Sequence, residues 1–329
     1  MFKACVVGAG AIGGFLGTRL AAAGEVSVAA LARGATLVAL RDHGWRLQEN
    51  GTLLQAPVAQ ASDDPRALGP QDLLIITVKS QALPALAGTL APLITSDTVV
   101  LPAMNGVPWW FSDGIAALGT GALESVDPGG AIAAALATRQ VIGCVVHASA
   151  ASAAPGVTLH RRGRGLIIGE PAGGDSARVR ALGELFTRAG FEVTCSARIR
   201  YDIWYKLWGN MTMNPVSALT GASMDRVLDD ALVRAFCSRA MAEAAAIGAR
   251  IGCEVRESPE DRHAVTRKLG AFKSSMLQDA EALRPLELDA LVGAVREIGQ
   301  RIGIATPDCD ALFGLTRLFG RVRGLYPSS

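Results

Sequence analysis

Along the first half of the chain, short apolar blocks alternate with stretches of helical spacing. Residues 4–7, 26–31, 73–78 and 99–101 are short, mainly apolar runs of strand length, while 12–23 and 82–94 repeat their apolar positions every three to four residues. Strands alternating with helices in this way predict a parallel sheet covered by helices. Further apolar runs at 141–146, 166–168 and 191–195 are expected to extend or flank that sheet. After about Ser196 the strand pattern stops, and the spacing predicts helices over 201–214, 224–252, 261–283, 286–303 and 309–323. An α/β domain over 1–197 followed by an all-helical domain over 198–329 is therefore expected.

Composition narrows the function. At 329 residues the chain exceeds the size at which one core usually stops growing, in line with two domains. Half of the residues are hydrophobic and 19% are charged, a balance that suits helices packed on a buried sheet. A formal charge of +2, with Lys and Arg spread along the chain, argues against a nucleic-acid partner. The cysteines at 5, 144, 195, 237, 253 and 309 form no CxxC pair, which argues against a zinc site and a disulfide framework and fits reduced thiols in a cytoplasm. No signal peptide is visible. The most apolar long stretch, 235–253, is interrupted by Arg239, Glu243 and Arg250 and so falls short of a membrane span. The histidines at 43, 147, 160 and 263 show neither metal spacing nor a triad partner, and no metal is expected.

Candidate chemistry begins at Gly8-Ala9-Gly10-Ala11-Ile12-Gly13-Gly14, a GxGxxG pattern that directly follows one predicted strand and opens a helix. In that context Gly8 permits the tight turn, Gly10 leaves room for a pyrophosphate, and Gly13 lets helix and strand pack closely. The helix N-terminus favours the negative charge. A Rossmann-type dinucleotide site follows. An enzyme selective for NAD usually carries an acidic residue at the end of the second strand, but Arg33 stands there, so NADP(H) is expected, with Arg33 beside the 2′-phosphate. Lys79 and Asn105 sit after later strands, where open α/β sheets bind ligands; each also reads as an ordinary residue, a surface lysine and a turn Asn-Gly.

In the helical half, Lys206, Asn210 and Asn214 follow one another at i, i+4 and i+8, which aligns an ammonium and two carboxamides on one helix face. Trp204, Leu207, Trp208, Met211 and Met213 surround that face, an environment suited to a cleft wall. A second polar cluster runs from Ser274 and Ser275 to Asp279, followed by Arg284-Pro285-Leu286-Glu287. Pro285 is expected to begin a helix, which puts Glu287 in its first turn. The basic run from His160 to Arg164 reads as a solvated hairpin tip. Trp109 and Trp110 fit either a lid over the cofactor or an anchor in the core.

Together these residues resemble the ketopantoate reductases (2-dehydropantoate 2-reductases) over nearly the whole chain. The likeness rests on the glycine loop, Val78-Lys79, Asn105-Gly106, Lys206-Leu207 with Asn210 and Asn214, and Ser274 to Asp279 leading to Glu287-Leu288-Asp289. It implies a Rossmann domain followed by a helical domain, with the active site in the cleft between them. It further implies Lys206 as the general acid that protonates a carbonyl oxygen as hydride arrives from NADPH, and Glu287 as the carboxylate orienting substrate and lysine. Asn105, Asn210, Asn214 and Ser275 would bind substrate, Asn105 also placing the nicotinamide. Gly8, Ala9, Gly10, Ala11, Ile12, Gly13, Arg33 and Lys79 would hold the cofactor, and a homodimer is compatible with the likeness.

The implied reaction is reduction of a 2-oxo acid to a 2-hydroxy acid, with 2-dehydropantoate and (R)-pantoate as the first pair, in pantothenate biosynthesis. Three departures bear on the substrate: Leu286 replaces the usual threonine before the glutamate, Pro108-Trp109-Trp110-Phe111 follows Asn105-Gly106, and the segment near Asp127-Pro128-Gly129-Gly130 is long. A related dehydrogenase acting on another 2-oxo acid or ketone, or a non-catalytic NADP(H) sensor, remains the alternative.

Overall fold

The computed structural model describes residues 1–268 and 270–328. Contacts group it into two compact units, Met1–Met104 with Ala131–Asp202, and Asn105–Gly130 with Ile203–Ser329. The expected boundary put residues 105–130 in the α/β domain 1–197; the contacts group them with the helical unit instead.

The strands are β1 (Phe2–Val7), β2 (Val26–Leu31), β3 (Trp45–Glu49), β4 (Thr52–Ala56), β5 (Ala61–Ser62), β6 (Leu73–Ile76), β7 (Val99–Pro102), β8 (Gly143–Ala154), β9 (Val157–Gly169) and β10 (Glu192–Cys195). In the first unit, β5-β2-β1-β6-β7 form a parallel sheet, with Ala4 opposite Val28 on one side and Leu73 on the other. β6 is Leu-Leu-Ile-Ile with every residue buried, as a strand covered on both faces requires. Burying each such side chain contributes about 1.5–3 kcal/mol, which is why this unalternated run lies inside the sheet, between β1 and β7.

The runs at 141–146, 166–168 and 191–195 flank this sheet rather than add strands to it: Val141 makes a single parallel bridge to Val100 of β7, and the Ile142 amide donates to the Val100 oxygen. Most of their residues lie in β8, β9 and β10 of a second sheet, ordered β10-β9-β3-β4 with β8 paired to β9. β3 and β4 pair antiparallel around Asn50 and Gly51, both at positive φ, the backbone a two-residue hairpin turn needs. Helix Ala11–Ala23 packs against both sheets. On that helix a Cβ at Gly17 would stand 2.7 Å from the Trp45 ring, so glycine is what lets the helix approach β3.

The basic run is also placed differently from the expected solvated tip. His160 and Arg164 lie within β9, and the β8–β9 turn is at Pro155 and Gly156. The His160 ring stacks on Phe15 at 4.6 Å, and its Nδ1 is 2.6 Å from Glu49 Oε1. Arg164 approaches the same carboxylate at 3.0 Å, and Arg19 pairs with it too. The Glu49 carboxylate gathers His160, Arg164 and Arg19 around it, while Arg161 and Arg162 stay exposed, an arrangement that a count of charges along the chain does not reveal.

The second unit is helical. Asp230 splits the expected helix 224–252 into Met224–Asp229 and Ala231–Arg250, because its carboxylate accepts from the amides of Leu232 and Val233 as a cap. The expected helix 261–283 is two, Pro259–Arg267 and Ser275–Glu281. Pro285 starts no helix. Leu283 has φ 52, the Leu286 amide donates to Leu325, and helical structure resumes only at Leu288 and the π-turn Asp289–Gly293. Ala294–Arg301 and Pro307–Val322 follow. Among the described residues no helix is long and apolar enough to cross a membrane.

Candidate active site

The glycine loop leaves β1 and opens helix Ala11–Ala23, with Gly10 at its N-cap. Gly8 has φ +95, and its amide donates to Leu31 on β2, so the chain turns sharply between the two central strands. A Cβ on Gly13 would lie 2.2 Å from the Gly8 oxygen and 2.5 Å from Thr77 Oγ1. At Gly10 a Cβ would meet no protein atom within 4 Å. Gly13 is thus required by packing inside the protein, whereas the space at Gly10 lies outside it, beside an uncapped helix N-terminus suited to phosphate. Ala9, Ala11 and Ile12 are the neighbours of Gly10 in the loop, each half-buried. These residues fit a dinucleotide.

Thr77 was not singled out from the sequence. It follows β6, and its hydroxyl donates to the Gly8 oxygen at 2.6 Å, tying the loop to the neighbouring strand. A lone threonine after an apolar run carries no distinguishing pattern, so only the fold reveals it.

Arg33 lies two residues beyond β2, exposed, at the N-cap of helix Gly34–His43, whose first turn holds no acidic residue. A cation and an open helix N-terminus both favour a bound anion there. Lys79 is half-buried at the N-cap of the 3-10 turn Ser80–Ala82, beyond β6.

The second unit brings together residues far apart in the chain. Helix Ile199–Thr220 carries Lys206, Asn210 and Asn214, and Lys206 Nζ donates to Asn105 Oδ1 at 2.8 Å. An ammonium has three N–H donors, and this bond aims it by using one. Asn214, buried, lies with its Nδ2 3.5 Å from the Ser275 hydroxyl, a long bond at the exposed start of helix Ser275–Glu281. Asn210 is half-buried one turn beyond Lys206. Glu287 is 7% exposed, just ahead of the π-turn rather than in a first helical turn. Trp109 and Trp110 are buried, and Phe111 stacks on Trp204 at 5.9 Å, so this stretch anchors the Asn105 loop in the core.

Comparison with known proteins bears on both units. Residues 4–173 match the family model "Ketopantoate reductase PanE/ApbA", and residues 198–319 match "Ketopantoate reductase PanE/ApbA C terminal". A 2-dehydropantoate 2-reductase from Mesorhizobium japonicum is 40% identical over 98% of this chain and 99% of that one. A crystal structure from Ralstonia solanacearum MolK2, assigned as a ketopantoate reductase, is 57% identical with a TM-score of 0.94, covering 98% and 99% of the two chains. A D-mandelate dehydrogenase solved with NADH and anilino(oxo)acetate superposes with a TM-score of 0.84 over 98% and 100%; at 21% identity it shows the fold alone. The fold and these matches define a dinucleotide-dependent oxidoreductase acting on a CH–OH group. More particularly, the chain belongs to the ketopantoate reductase family.

Proposed function

We propose that the chain reduces a 2-oxo acid to the 2-hydroxy acid with NADPH, and that 2-dehydropantoate, giving (R)-pantoate for pantothenate biosynthesis, is its substrate. The observation that carries this reading is the 2.8 Å bond from Lys206 Nζ to Asn105 Oδ1. Ketone reduction needs one hydride at carbon and one proton at oxygen. The bound dinucleotide supplies the hydride. Lys206 supplies the proton, and its charge also stabilises the alkoxide that develops on the carbonyl oxygen. Asn105 accepts from the ammonium through its oxygen, which leaves its NH2 group as a donor to substrate. Asn210, Asn214 and Ser275 add carboxamide and hydroxyl groups suited to the carboxylate and hydroxyl of the acid, and Glu287 orients Lys206 and substrate.

Arg33 favours the 2′-phosphate of NADP(H) for the reasons of charge and position given above, and Lys79 adds a second cation. Arg33 is exposed, which favours a second reading in which it meets solvent and NADH is the reductant. Lys206→Ala tests the central role: turnover should fall by several orders of magnitude with NADPH affinity near that of the parent. Full turnover in this variant overturns it.

A further inference from the structure

The carboxyl end of the chain is tied to the same segment that carries Glu287. The Leu286 amide donates to the Leu325 oxygen at 2.9 Å, and the Leu325 amide donates in turn to the Gly320 oxygen at 2.7 Å. One residue on, the Tyr326 hydroxyl donates to Asp289 Oδ1 at 2.6 Å. Residues 286 and 289 are therefore held from one side by residues 325 and 326. Close approach is built in: a Cβ at Gly320 would stand 2.7 Å from Tyr326 Cβ.

The other side of this segment meets the loop that carries Asn105. The Ala290 oxygen accepts from the Val107 amide at 2.8 Å. Gly106 has φ +83, and a Cβ there would lie 2.5–2.7 Å from the Ala290 oxygen, carbonyl carbon and Cβ. The two backbones touch with no side chain between them, so a shift of the π-turn must move the Asn105 loop. Asp289 is the first residue of that π-turn, a wide form of helix that occurs mostly as single turns, often at functional sites.

We propose that Tyr326 is a positioning residue for the reduction, acting through Asp289 to hold the π-turn and thereby the placement of Glu287 and Asn105. The proposal rests on the roles given above to Asn105 and Glu287. Burial pushes the Asp289 carboxyl up from its ordinary range, and burial together with the neighbouring carboxylate pushes the Tyr326 phenol up. The phenol thus stays protonated and keeps donating at neutral pH, a constant hold rather than a switch.

The test compares Tyr326→Phe, Asp289→Ala and the double variant with the parent in steady-state NADPH oxidation on a 2-oxo acid that the parent reduces. Thermal melts and NADPH titration accompany each, and Lys206→Ala is the control. A misplaced catalytic group commonly costs one to two powers of ten, so kcat should fall by about tenfold in Tyr326→Phe. NADPH affinity should fall much less than kcat, since the glycine loop and Arg33 are unchanged and Asn105 is the one cofactor-facing residue that the variant would shift. The double variant should lose no more than the worse single one, because both remove the same bond. Asp289→Asn, which keeps an acceptor oxygen for Tyr326, should retain most of the parent kcat even should Tyr326→Phe fail to fold. A folded Tyr326→Phe with parental kcat, or an Asp289→Asn as impaired as Asp289→Ala, overturns the proposal. An inactive Lys206→Ala beside a fully active Tyr326→Phe removes the positioning role alone. A fully active Lys206→Ala removes the underlying reading and the positioning role with it.

Discussion

Gly10 and Gly13 belong to one loop, yet the structure assigns their missing side chains to different partners, and alanine substitution separates the two. In Gly13→Ala the new methyl would stand 2.2 Å from the Gly8 oxygen, 2.5 Å from Thr77 Oγ1 and 2.9 Å from Val6 Cγ1. The first of these is backbone, so helix and strand must part. Overpacking of this kind costs about 1–3 kcal/mol. For a unit of this size each kcal/mol lowers the melting temperature by roughly 2–4 °C, so a fall of roughly 2–12 °C is expected. In Gly10→Ala the methyl meets no protein atom within 4 Å, and φ is −82°, which any residue adopts. Alanine loses a little as an N-cap and gains a little by restricting the unfolded chain, so stability should stay within about 1 kcal/mol of the parent. If the pyrophosphate fills that space, the same methyl should weaken NADPH by at least about tenfold, or about 1.4 kcal/mol. Thermal melts and NADPH titration of both variants decide the matter. A Gly10→Ala protein that binds NADPH as tightly as the parent would refute the assignment of that space to the cofactor.

Arg33→Ala should weaken NADPH by about tenfold or more and leave NADH unchanged, measured by titrating each dinucleotide; equal effects on both would remove Arg33 from the 2′-phosphate. Glu49→Ala leaves Arg19, a residue 9% exposed, without its carboxylate, and should cost about 3 kcal/mol in denaturant unfolding; a loss below about 1 kcal/mol would show that the cluster contributes little. Glu297 accepts from the amides of Glu124 and Ser125 at 2.9 and 2.8 Å and from Arg301 at 2.7 Å. Burial alone would raise its carboxyl, but those bonds outweigh it and hold the group below its ordinary 4.5. With the folded value depressed, its stabilisation is complete above that ordinary value and is lost as pH falls through the folded one. The gap in melting temperature between the parent and Glu297→Gln should therefore be widest near neutrality and narrow below pH 4.5; a gap constant with pH would contradict the sign.

What the sequence disclosed, and what it withheld, follows from the range of each interaction. The glycine loop is legible because turn, strand and helix start lie within one short stretch, and buried strands such as β6 announce themselves by continuous apolar residues. The β3–β4 hairpin also leaves a local mark, Asn50-Gly51 between half-apolar runs. By contrast, the placement of β8 to β10 in a second sheet depends on pairing between distant strands, and the burial of His160 depends on Glu49, far away in the chain. In the second unit, Lys206, Asn210 and Asn214 stood out by helical spacing. The bond from Lys206 to Asn105, the grouping of residues 105–130 with the helices, and the tie from Tyr326 to Asp289 arise only when the chain folds back on itself. Pro285 misled because its usual place at a helix start was overridden by the backbone bond of Leu286 to Leu325.

The most direct measurement is NADPH consumption by the purified chain across a panel of 2-oxo acids that includes 2-dehydropantoate, with Lys206→Ala run alongside. Turnover of 2-dehydropantoate to (R)-pantoate is expected, with NADPH preferred to NADH and that turnover lost in Lys206→Ala. Tight NADPH binding with no turnover of any 2-oxo acid, or undiminished turnover in Lys206→Ala, would contradict this expectation.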